Sequence, residues 1–193
     1  MSGESGAPTI VRSYHHDAEV LLGFLASHHD APEQRVTLLP KTFLEVLRVC
    51  LYEEFFLHPL LRAAGMGDER PAGELLTRLR EIEQTLKLVE RLGTDDARFD
   101  PAVDQLVRQF REHGRRTEAA LSLLQERRHA EELDDDLGDR ITATTLAGPT
   151  HVHPHDRIAG DRTWPRPGLT DELREALVIE IRSHEPEAGP SLH

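Results

Sequence analysis

Four side chains able to hold a cation fall on the apolar stripes of four separate helical patterns: His15, Glu53, Glu83 and His113. Glu53 lies in "LRVCLYEEFFLHPLLR", residues 47 to 62, where Val49, Glu53, Phe56 and Leu60 share one stripe. Steps of three and four residues return to the same helix face, so this carboxylate is aimed where apolar groups want to be. Glu83 follows Leu79 by one helical step of four residues, about 40° round the helix. His113 is bracketed by Phe110, Thr117 and Leu121, and Glu118 sits at the edge of that face. Imidazoles and carboxylates, one per helix and aimed at a common axis, are how helical bundles build metal sites. Any one of these residues alone reads as a hydrogen-bonded core residue; their coincidence is what points to a metal. A buried carboxylate without a partner is costly or takes up a proton. Arg48, Arg80 or Arg116 would be the alternative counter-charges.

The elements that must position these groups are amphipathic helices, and no segment reads as a convincing strand. The first spans about 9–27, with Thr9 as a possible N-cap, Val11, Ala18, Leu22 and Leu25 inward, and His15 on the border of that face. The second runs from about 41 to 62 behind Pro40, with "PEQRVTLL" as a possible kinked extension, and Pro59 is expected to bend or stop it. The third covers about 72–92, with Leu75, Leu79, Ile82, Leu86 and Val89 at helical spacing and Gly93 as its stop. The fourth runs to about 127, with Asp100 as N-cap and Pro101 as first helical residue. Short linkers predict an up-down antiparallel four-helix bundle over residues 1–145. Beyond it come an acidic stretch, "AEELDDDLGDRI", that reads as a frayed fifth helix, a Pro/Gly/His-rich linker over 146–168, and a short helix with tail over 169–193. That last helix would be capped by Thr170, with Leu173, Leu177 and Ile181 on one side.

Composition narrows the function classes. The 193 residues suit one domain, and 38% hydrophobic with 5% aromatic content means a core of Leu, Val and Ala. A formal charge of −12 argues against a nucleic-acid footprint or a polybasic membrane surface. Cys50 is the only cysteine, which excludes an intrachain disulfide and a cysteine-cluster metal site. No apolar run reaches the ~18–20 residues of a membrane span, and "MSGESGAPT" lacks a signal-peptide pattern, so a cytoplasmic location is expected. "HVHPH", residues 151 to 155, reads as incidental cation binding in an extended tail, and His28 and His29 as solvated loop residues.

The order of "LYEEFFLHPLLR", "EQTLKLVE" and "GTDDARFDPAVDQLVRQFREH", closed by "AGPTHVHPH", resembles the bacterial hemerythrin-like (HHE cation-binding) domains over roughly residues 9–155. The resemblance implies a four-helix bundle with a non-haem di-iron site. It puts that family's helix-one histidine at His15, its helix-two pair at Val49 and Glu53, its helix-three pair at Leu79 and Glu83, and its helix-four ligands at His113 and Glu118. Two histidines of the pattern are therefore aliphatic here, and an aliphatic side chain cannot coordinate a metal. That argues against reversible oxygen carriage. The set His15, Glu53, Glu83, His113 and Glu118 suits one or two iron or manganese ions engaging oxygen, peroxide or an organic substrate. The alternative expectation is a metal-free bundle serving as an interaction or regulatory module.

Overall fold

A computed structural model of the chain describes residues 7–66, 70–126, 164–165 and 167–183. The helical periodicities appear there as α1 (Ala7–Ser27), α2 (Pro32–Tyr52), a π-helical turn (Glu53–Leu57), α3 (His58–Ala63), α4 (Arg70–Arg91), α5 (Phe99–Glu126) and α6 (Leu169–Ser183). No strand occurs among the described residues, so the fold class is all-α. The acidic stretch after residue 129 and the "HVHPH" segment lie outside the described residues. No described helix is long and apolar enough to cross a membrane.

Each helix buries the stripe its sequence marks, from Val11, Ala18, Leu22 and Leu25 on α1 to Val103, Leu106, Phe110, Leu121 and Leu124 on α5. α1 packs on α2 and α5, α4 packs on α5, and α6 lies against α2 and α4. The ion pairs Arg12–Glu118 (2.7 Å) and Arg111–Glu19 (2.8 Å) show that α1 and α5 run in opposite directions, since residue number rises along one as it falls along the other. Glu83–Arg174 and Lys87–Asp171 give the same result for α4 and α6. The C-terminal end of α2 is enclosed by its neighbours, and residues 49 to 53 are all buried. A segment covered on every side must answer its polar groups from inside.

Local punctuation rules are overridden at several places. Pro40 lies inside α2, which starts at Pro32 rather than near residue 41. Burial of Arg35 and Leu39 holds the segment before Pro40 in the helix despite the backbone bond that a proline removes. Pro59 does not stop the chain either. It lacks an N–H, and its ring crowds the carbonyl of Phe55; the widened π turn spans this point, with the His58 N–H bonded to the Glu53 carbonyl. Helix α3 ends instead at Gly65, whose φ of 74° suits glycine. There Met66 N–H bonds to the Leu61 carbonyl (2.8 Å) and Gly65 N–H to that of Arg62 (3.0 Å).

The predicted caps differ as well. α1 already includes Thr9, and α5 begins at Phe99. The Asp100 carboxylate turns to the buried Arg35 guanidinium and, at 3.2 Å, to His29, which is an exposed turn residue as expected. Thr170 is inside α6, and the cap comes from another helix. Buried Glu90 of α4 accepts hydrogen bonds from the backbone N–H groups of Gly168, Leu169 (3.0 Å) and Thr170 (3.0 Å), and from the Thr170 hydroxyl. A carboxylate at a helix N-terminus satisfies the orphan donors and the helix dipole together. Trp164 completes the docking: its indole N–H donates to the Leu92 carbonyl (2.8 Å), and its ring meets Phe43 edge-on at 5.6 Å.

Replacing Glu90 with alanine leaves those N–H groups buried without acceptors. The expected cost is about 2 kcal/mol in urea unfolding. Emission of Trp164, the chain's single tryptophan, should shift to the red as α6 loosens. Unchanged stability and emission would show that the cap does not hold α6.

Candidate metal centre

Three helical segments each send one ligand-type group to a single buried point. His15 comes from the inner edge of α1, Glu53 from the first residue of the π turn, and His113 from the middle of α5. His15 Nε2 stands 2.5 Å from Glu53 Oε1, and His113 Nε2 stands 2.7 Å from Glu53 Oε2. The Thr117 hydroxyl, one turn beyond His113, donates to the same carboxylate at 3.1 and 3.2 Å. The two imidazole rings stack with centroids 5.8 Å apart. Glu53 and His113 are closed off, whereas the His15 side chain keeps 13% of its surface open to solvent. One ligand atom from each of His15, Glu53 and His113 lies within 4.8 Å of the others.

Electrostatics keep the carboxylate charged. Burial pushes the Glu53 pKa up, but the charge and hydrogen bond of His113 and those of His15 outweigh it and hold it at about 2. The site therefore presents an anion at neutral pH although it is buried. Both histidines turn Nε2 inward, and neither buried Nδ1 has a hydrogen-bond partner among the described residues. Gly114 sets the approach of α1 to α5 at this level: a Cβ there would stand 3.2 Å from His15 Nδ1. Two imidazole nitrogens and one carboxylate form a donor set of the kind that binds divalent iron or manganese, so the residues present fit such an ion.

The other two candidates do not reach this point. Glu83, on α4, is bound by Arg174 of α6, which also holds Glu54 at 2.8 Å. Burial pushes the Glu83 carboxyl above its ordinary range despite the neighbouring guanidinium. Glu118 lies on the exposed side of α5 and is gripped by Arg12 through two bonds of 2.8 and 2.7 Å. The counter-charges are thus Arg174 and Arg12. Arg48 pairs with Glu45 (2.8 Å) and Arg116 with Glu74 (2.8 Å) instead. Val49 and Leu79 are both buried, and Leu79 shares with Glu53 a void of only about 10 Å³. Burial raises the Cys50 thiol well above the ordinary thiol range, which keeps it protonated and unreactive. Thr117 is the participant that a search for ligand residue types passes over; its signal was a position one helical turn from His113 on the same face.

The π turn adds a local peculiarity, since such turns inside α-helices occur frequently at functional sites. Comparison with family models, with curated proteins and with solved structures returns no significant match.

Two outcomes follow for the metal-free protein. A carboxylate with a depressed folded pKa stabilises fully above its unfolded value, and that stabilisation is lost as pH falls towards the folded value. Stability should therefore drop by roughly 3 kcal/mol between about pH 4.5 and 2. Glu53→Gln should flatten that part of the profile; an equally steep profile in the variant would assign the acid sensitivity elsewhere. Thr117→Val, nearly the same shape without the hydroxyl, should cost about 1 kcal/mol in urea unfolding. No change would mean the hydroxyl does not support Glu53.

Proposed function

We propose that this chain is a hemerythrin-like metalloprotein reduced to one ion, with His15, Glu53 and His113 as the protein ligands to iron or manganese. The single observation that carries the reading is the convergence of two imidazole Nε2 atoms and an ionised carboxylate, from three helical segments, in a buried place. Two histidines with one carboxylate leave coordination positions open, as in non-haem iron oxygenases. When bound, such an ion supplies Lewis acidity and a place to engage oxygen, peroxide or an organic substrate. The chain's own part is to hold three ligands rigidly, keep Glu53 deprotonated, and exclude water on the His113 side. We read the scaffold as an up-down four-helix bundle made of α1, α2 with its π turn and α3, α4, and α5. The opposed directions of α1 and α5 support that reading. Reversible oxygen carriage does not suit the site, because Val49 and Leu79 stand at two ligand positions of the family pattern.

One observation favours a second reading, a metal-free bundle acting as an interaction or regulatory module. His15, His113 and Thr117 already satisfy Glu53 at hydrogen-bonding distance, so the polar core closes without an ion.

Anaerobic loading with ferrous iron, removal of excess and metal quantification separate the two. The expected result is about one equivalent retained, lost in Glu53→Ala/His113→Ala and kept in Glu83→Gln. A parent protein that retains no iron overturns the metal reading and leaves the closed polar core.

A further inference from the structure

His15 is the one member of the cluster that faces outward, and what it faces is a groove of about 510 Å³ between α1 and α5. That volume lies within the range of small-molecule sites. Gly114 opens its floor, since a side chain there would press on His15, and Phe110 and Leu121 give it apolar walls. The rim is charged, and its lining carries one more guanidinium than carboxylate. Arg12, Arg111 and Arg115 line it against two carboxylates, Glu19 and Glu118, in a chain whose formal charge is −12. Two ion pairs join α1 to α5 on either side of His15, Arg12–Glu118 at 2.7 Å and Arg111–Glu19 at 2.8 Å. The first uses two bonds of the guanidinium, the second its Nε. Arg115, 75% exposed, is held by its own helix through Glu112. An entering anion thus meets Arg111 and Arg115 where their present partners are exposed and screened.

We infer that this groove is the substrate subsite of the His15 centre and takes a small organic acid, a monocarboxylate with an apolar body. The carboxylate lies at Arg111 and Arg115, and the hydrocarbon lies over Phe110 and Leu121 beside the exposed edge of His15. A bare inorganic anion has nothing to place on the apolar walls, and a cation meets the wrong rim. Calling the occupant a substrate rests on the metal reading; its binding is read independently of any ion.

The test uses the full chain and backbone-amide NMR, with hexanoate as probe and hexylammonium and inorganic phosphate as controls. The Phe110 and Gly114 amides should shift saturably with hexanoate, weakly with phosphate and not with hexylammonium. Arg111→Gln/Arg115→Gln should weaken hexanoate by about tenfold without altering iron retention measured on the same preparations. Both arginines are exposed and their ion pairs screened, so the double variant should keep the fold, read from unchanged amide positions away from the groove. No shift at Gly114, an equal response to hexylammonium or phosphate, or unchanged affinity in the double variant overturns the groove inference. Iron that fails to bind while hexanoate still shifts Gly114 removes the metal reading and leaves the organic-acid site standing.

Discussion

A carboxylate sealed in the middle of a protein must be answered from within, and Glu53 is that carboxylate. It sits 3% exposed where α2 is covered by its neighbours, so water cannot supply its partners. Two imidazoles and a hydroxyl from α1 and α5 do so. That demand fixes how the helices meet. α1 must present His15 at the height of the π turn, α5 must present His113 and Thr117 at the same height, and Gly114 must leave room for the approach. A buried ionic group without such partners is far more costly than the apolar residue it replaces.

The C-terminal helix solves a related problem on the other face. Glu54 of the π turn and Glu83 of α4 would repel each other, and the Arg174 guanidinium lies between them. Glu90 works in the opposite sense, a buried α4 anion neutralised by the N-terminus of α6. α6 thus brings a cation to one acidic pair and a helix dipole to a third acid, while Leu173, Leu177 and Ile181 bury its apolar stripe. These contacts explain why a helix far along the chain packs closely against α2 and α4.

How much of this was legible beforehand depended on the range of the interaction. His15, Glu53 and His113 could be placed because each lies on a face whose 3.6-residue period is carried by its neighbours, and helical angle is a local property. The same angle put Glu83 on the inward side of α4, but nothing local announces that Arg174, ninety-one positions later, will claim it. Glu118 sits at the border of its face, and a small rotation delivered it to Arg12 rather than to the interior. The proline rule failed at Pro40, where burial of Arg35 and Leu39 outweighed one missing backbone bond, whereas at Pro59 the helix yielded by widening into the π turn. The stop at Gly65 needed a left-handed residue in the right place, which the more conspicuous proline obscured. Thr117 was visible by position and invisible by type, since a threonine on an apolar face ordinarily bonds its own backbone.

The histidine rings report on the central claim most directly. Long-range proton–nitrogen correlation spectra of the metal-free chain reveal which ring nitrogens carry hydrogen. His15 and His113 should both hold slowly exchanging, strongly deshielded protons on Nε2, each donated to Glu53. Glu53→Gln should shift both signals together. Rings whose Nε2 is bare, or whose protons exchange as freely as those of an exposed histidine, would contradict the picture of one buried anion joining two helices to a third.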